Sequence, residues 1–158
     1  MNSEQLSDDS VGMARYTHGH SAPVLSAHSR RGATDSAAYL LPHLKAGMDL
    51  LDVGCGPASI TADLAEHVAP GRVVALDAAA GALEAARATL SERGLSEQVE
   101  LARGDVMALP FEDGSFDIVH AHQVLQHLTD PVGALAEMHR LTRPGGIVAV
   151  RDAVYSAM

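Results

Sequence analysis

Apolar residues in this chain follow two different periods, and the two alternate. Residues 49–53, 72–77, 98–102, 116–121 and 147–150 form short, nearly continuous apolar runs. Runs of that length, bounded by turn residues, predict strands buried on both faces. Between them the spacing turns helical. Ile60, Leu64 and Val68 fall on one helical face, Leu83, Ala86 and Leu90 on a second, and Leu135, Met138 and Leu141 on a third. Pro70-Gly71 closes the first of these helices and Gly94 the second, while Asp130-Pro131 opens the third as cap and first helical residue. Upstream, 28–44 predicts a helix with Ala37, Leu40, Leu41 and Leu44 on one side, bent or ended by Pro42. Pro144-Gly145-Gly146 predicts a turn before the last strand. Strands alternating with helices predict an α/β fold, a doubly wound and mostly parallel sheet.

Residues 1–20 show neither period and are rich in Ser, Asp, Gly and His. The expected organisation is a flexible arm or lid over 1–27 and one folded domain over 28–158. The full 158 residues are enough for one sizeable core. Aromatics make up only 3%, so that core must be built from Leu, Val, Ile and Ala. The formal net charge of -9 argues against a nucleic-acid surface, which needs a basic patch to displace counterions. It argues equally against a polybasic membrane anchor. No apolar run is long enough to span a bilayer, and residues 1–10 lack the pattern of a secretory signal. The single cysteine, Cys55, excludes an intrachain disulfide and a cysteine zinc cluster. The expected setting is the cytoplasm.

Three segments fall where ligands bind in such sheets, at the carboxyl ends of strands. They are Asp52-Val53-Gly54-Cys55-Gly56 after the first strand, Asp77 closing the second, and Gly104-Asp105-Val106 after the third. The glycines permit a sharp turn and a ligand close to the main chain. Asp77 offers two acceptor oxygens for the hydroxyls of a ribose. A dinucleotide fingerprint wants a third glycine where this chain has Ser59, and Asp52 would repel a pyrophosphate. A nicotinamide-dependent oxidoreductase is therefore disfavoured. S-adenosylmethionine, with a ribose, an adenine, two cationic groups and no phosphate, fits better. Asp105 can accept from the adenine amino group, and the Val106 N–H can meet a ring nitrogen. Taken singly, Asp52 and Asp105 also suit plain capping of loop amides.

The chain resembles the class I S-adenosylmethionine-dependent methyltransferases, in the broad group that includes the ubiquinone and menaquinone C-methyltransferases. The matching segments are LLDVGCGPASIT (50–61), VVALD (73–77), GDVMALPFEDGSFDIVHAHQVLQHL (104–128) and LTRPGGIVAV (141–150). The resemblance implies a Rossmann-like sheet with strand order 3-2-1-4-5. It implies that Gly54 and Gly56 lie against the methionine part of the cofactor, with Asp52 near its amino group. It assigns the ribose to Asp77 and the adenine to Asp105 and Val106. Cys55, inside the first segment, and Ala78, directly after the second, join the cofactor-binding set. His122 matches a position that contacts the methionine moiety, and Arg31 is a candidate for its carboxylate. Ala58 departs from the family, which usually has glycine there, and Ala78-Ala79-Ala80-Gly81 is blander than usual.

The resemblance also touches the histidines. Tyr16-Thr17-His18-Gly19-His20 is similar to N-terminal lid segments, so Tyr16, His18 and His20 are expected at the substrate entrance. His28 joins them there, and His127 is a further substrate-side candidate, although a packing role serves it equally well. No metal is expected, because no acidic partner stands at ligand spacing from the histidines. Cys55 has no nearby partner in sequence and is expected to pack and not to attack. The family's sheet continues beyond a fifth strand, so this chain is expected to be truncated there. Ile147-Val148-Ala149-Val150 would then form an exposed edge, open to homo-oligomerisation. The expected function is methyl transfer to a small-molecule acceptor. The alternative is a weak or inactive S-adenosylmethionine-binding module that associates through the same edge.

Overall fold

The computed structural model describes residues 32–153. Its elements run α1 (Ala33–Ser36), a 3₁₀ turn (Leu41–His43), β1 (Leu50–Val53), α2 (Ser59–Val68), β2 (Val73–Asp77), α3 (Ala80–Glu92) and β3 (Val99–Arg103). There follow β4 (Phe116–His122), a second 3₁₀ turn (Leu125–His127), α4 (Pro131–Leu141) and β5 (Thr142–Arg151). Among the described residues the strands form one sheet of five in the order β3-β2-β1-β4-β5, every pair parallel. That is the doubly wound sheet the alternating periods predict.

All residues of β1 and β2 are buried, as strands covered on both faces must be. The pleat divides their side chains. Leu50, Val73, Ala75 and Ile118 join Leu64, Ala65 and Val68 of α2 and Leu90 of α3 on one side. Leu51, Val53, Val74, Leu76 and Val119 meet Met138 and Leu141 of α4 on the other. Asp52 lies between Leu51 and Val53 and so points to the α2 side with Leu50.

The helix ends follow their sequence signals. Asp130 caps α4 by accepting from the Gly133 N–H at 2.9 Å, with Pro131 in the first turn. Past α3, Gly94 takes φ +69° and the Leu95 N–H returns to the Leu90 carbonyl at 2.8 Å.

Two segments differ from expectation. The helix expected over 28–44 is, within the described residues, the four-residue α1 followed by the 3₁₀ turn that contains Pro42. The expected turn at Pro144-Gly145-Gly146 is an irregularity inside β5. The ladder to β4 passes from Phe116↔Thr142 directly to Ile118↔Ile147, so the surplus residues loop out while the strand continues.

Candidate cofactor site

The turn after β1 is built by conformation. Gly54 and Gly56 take φ +71° and +55°, values that favour glycine. The Gly54 and Cys55 N–H groups both donate to the Leu76 carbonyl, at 2.7 and 2.9 Å, folding the turn against β2. Asp77, buried at the end of β2, holds it from the side. Its Oδ2 accepts from the Gly56 N–H and its Oδ1 from the Ala79 N–H, each at 3.0 Å. A Cβ placed on Gly56 would meet nothing within 4 Å, so the turn borders open space.

The third segment adjoins the second. The Gly104 N–H donates to the Asp77 carbonyl at 3.2 Å. Asp105 Oδ1 accepts from the Met107 N–H at 2.9 Å, closing an Asx turn, and Val106 beside it is buried. Gly54, Cys55, Gly56, Asp77, Ala78, Asp105 and Val106 thus converge at the carboxyl ends of three neighbouring strands. His122 is half-buried at the same end of β4. His127, half-buried in the second 3₁₀ turn, has its Nε2 3.4 Å from Gln126 Nε2. Tyr16, His18, His20, His28 and Arg31 lie outside the described residues. Among the described residues no three His, Cys, Asp or Glu side chains group as a metal site.

Asp52 is engaged more deeply than the sequence suggested. Its Oδ1 meets His120 Nδ1 at 2.8 Å, and its Oδ2 accepts from the Thr61 hydroxyl at 2.5 Å. All three side chains are buried. His120 faces Asp52 in register across β1 and β4. Sequence reasoning passed over His120, treating it as one more position in an apolar strand. A signal existed: two polar residues inside two strands that each demand burial. Their pairing spans 68 residues and is set by the sheet.

Tyr39, 44% exposed, reaches the same region. Burial raises its hydroxyl above the ordinary tyrosine value; the nearby charges of Asp52 and Asp152 raise it further, and Arg151 opposes them. The Cys55 thiol is pushed well above its ordinary value, by burial first and then by the charges of Asp77 and Asp52. That shift favours the thiol over the thiolate at Cys55 and so disfavours it as a nucleophile.

The family model for a methyltransferase domain matches residues 51–150, which hold the turn, both strand-end aspartates and all of β4. The chain belongs to that family. Among its relatives is an uncharacterized methyltransferase of Schizosaccharomyces pombe, 35% identical over 87% of this chain and 51% of the relative. A demethylmenaquinone methyltransferase of Lactococcus lactis is 42% identical over 65% of this chain and 40% of its own length. The fold is shared with a SAM-dependent methyltransferase from Aquifex aeolicus, at TM-score 0.73 and 23% identity, over 85% of this chain and 73% of that one. The chain spans about half the length of the curated relatives it matches. Among the described residues no helix is long and apolar enough to cross a membrane.

Proposed function

We propose that this methyltransferase domain binds S-adenosylmethionine at the carboxyl ends of β1, β2 and β3 and serves methyl transfer to a small-molecule acceptor. The observation that carries this is the tie between Asp77 and the glycine turn. A buried carboxylate stands 3.0 Å from the Gly56 N–H, beside open space at Gly56. Both oxygens accept a backbone N–H, and a carboxylate oxygen can accept from a ribose hydroxyl as well. Asp52 and Asp77 put two negative charges around the turn, which suits a cationic ligand and opposes a pyrophosphate. Asp105 and Val106 are assigned to the adenine, and His122, Cys55 and Ala78 to the walls of the site.

When bound, S-adenosylmethionine supplies a methyl group already activated on a sulfonium. The residues of this chain then have to hold, align and exclude water, because proximity and orientation account for most of the rate. A base is required only for an acceptor that must lose a proton. The likeness to demethylmenaquinone methyltransferase makes a quinol ring the first acceptor to try.

The test is a thermal melt with S-adenosylmethionine. The expected result is a rise in Tm that grows with ligand concentration. Asp77→Ala should remove most of that rise, weakening binding roughly tenfold or more through lost hydrogen bonds to a charged group. The variant also frees the Gly56 and Ala79 amides, so the ligand-induced shift is read and not the Tm itself. A cooperative melt unmoved by millimolar ligand would sink the proposal.

A further inference from the structure

We propose that His120 is a cofactor-binding residue whose Nε2 accepts a hydrogen bond from the ammonium group at the amino-acid end of the cofactor, with Asp52 fixing the ring. The assignment rests on the S-adenosylmethionine reading and adds to it a residue and a role.

Three observations carry it. First, Asp52 has both carboxylate oxygens occupied, one by His120 Nδ1 at 2.8 Å and one by the Thr61 hydroxyl at 2.5 Å. A carboxylate oxygen accepts, so Nδ1 is the donor in that contact, and in the Nδ1–H tautomer Nε2 is an acceptor. Second, His120 is 0% exposed, and among the described residues its Nε2 has no hydrogen-bond partner. A buried acceptor left unpaired is destabilising, and such groups in folded proteins nearly always find a partner. The ring nitrogen is thus poised for a donor that the described residues do not supply.

Third, the place selects the donor. Asp52↔His120 is one register pair below Val53↔Ala121, and the next residue of the β1 chain is Gly54. His120 therefore stands directly below the glycine turn on the adjacent strand. The turn lies in a negative field, since Asp77 and Asp52 both push the Cys55 thiol upward. A cationic donor is favoured there, and a carboxylate behind an imidazole strengthens the acceptor on its far side. The ammonium of the cofactor is such a donor. Asp52 is then a positioning residue that acts through His120.

The experiment compares two ligands that differ only at that end. S-adenosylhomocysteine carries the amino-acid group; 5′-methylthioadenosine keeps the adenosine and sulfur and lacks it. Isothermal titration of the unmutated protein should give tighter binding of the first. His120→Asn keeps a nitrogen near the position of Nδ1 for Asp52 and deletes Nε2. It should weaken S-adenosylhomocysteine by about tenfold or more, the scale of a charge-assisted hydrogen bond, and leave 5′-methylthioadenosine within about twofold. Equal losses for both ligands, or no loss for either, would overturn the assignment. Failure of the unmutated protein to bind either ligand would overturn the cofactor reading and this one with it. If the variant does not melt cooperatively, nitrogen-15 NMR of the unmutated protein decides. The Nε2 resonance of the histidine with an exchange-protected Nδ1–H should move with S-adenosylhomocysteine and stay with 5′-methylthioadenosine; a shift with both, or with neither, overturns it.

Discussion

Ala58 holds a left-handed backbone, φ +67° and ψ 22°, at the N-cap of α2. That conformation costs a residue with a Cβ roughly 1–2 kcal/mol. Its methyl is fully buried in the core on the α2 side, and burying one such carbon contributes about 0.8 kcal/mol. The two effects oppose each other, so Ala58→Gly should change unfolding stability by less than about 1 kcal/mol, on the stabilising side. Ala58→Val meets the same φ with a branched side chain and should destabilise clearly; urea unfolding of both variants checks the order. Cys55, next to the same turn, should alkylate far more slowly in the native protein than in guanidinium, because its raised pKa suppresses the thiolate. Equal rates would mean the thiol is neither buried nor shifted. Gly54, Gly56 and Asp77 were legible because their spacing is local and their chemistry is carried by residue type. The Asp52–His120 pair was not, since nothing within either strand states which residue of the other it will face.

Four residues are too few for a helix to persist by its own hydrogen bonds, so α1 needs support from elsewhere. At its start, Asp63 Oδ2 of α2 accepts from the Ala33 N–H at 2.8 Å, a cap supplied by another helix. At its end, Arg151 Nη1 of β5 donates to the Asp35 and Ser36 carbonyls at 3.0 and 3.3 Å. Arg151→Ala should therefore speed amide exchange in α1 and leave exchange in α3 unchanged; unchanged α1 protection would show that the clamp is idle. The periodicity over 28–44 marked the right apolar face, and Ala37 and Leu40 are buried. It could not show that the chain turns between them. Helix α4 has a different anchor. Glu137 accepts from Arg140 and from the Leu109 N–H at 2.7 Å, and Arg140 also donates to the Phe111 carbonyl at 2.9 Å, tying the β3–β4 connection to the helix. The Arg140 hydrogen bond holds the Glu137 carboxyl below its ordinary value, against the opposing effect of burial. A depressed folded pKa contributes stability that is present above the ordinary carboxylate range. That stability is lost as pH falls from about 4.3 through the folded value. Melting temperatures between neutral and strongly acidic pH should fall less steeply for Glu137→Gln than for the unmutated protein. Parallel acid limbs would contradict the linkage.

At the scale of the whole sheet, the strand order sets the glycine turn and the edge strand β5 apart. The order β3-β2-β1-β4-β5 puts the glycine turn, Asp77 and Asp105 on β1, β2 and β3, away from β5. Where β1 and β2 are buried throughout, Ile147, Val148 and Val150 of β5 are only half-buried. Among the described residues β5 pairs with β4 alone, so its outer edge presents unpaired N–H and C=O groups beside apolar side chains. Such an edge is a template for another strand. The alternating periods made the parallel sheet legible in advance. Strand order is a three-dimensional property that they do not contain, and it entered through family resemblance. We predict that the chain self-associates through β5. Light scattering should show the mass rising over about a hundredfold range of concentration, and Val148→Lys should suppress the rise by placing a charge at the edge. Because Val148 pairs with Val119 and packs with the α4-side core, on the face opposite Asp52 and His120, Val148→Lys should keep the S-adenosylmethionine-induced rise in Tm. A mass independent of concentration would remove the edge as an interface. Loss of the ligand shift in a variant that still melts cooperatively would mean that association and cofactor binding share one half of the sheet.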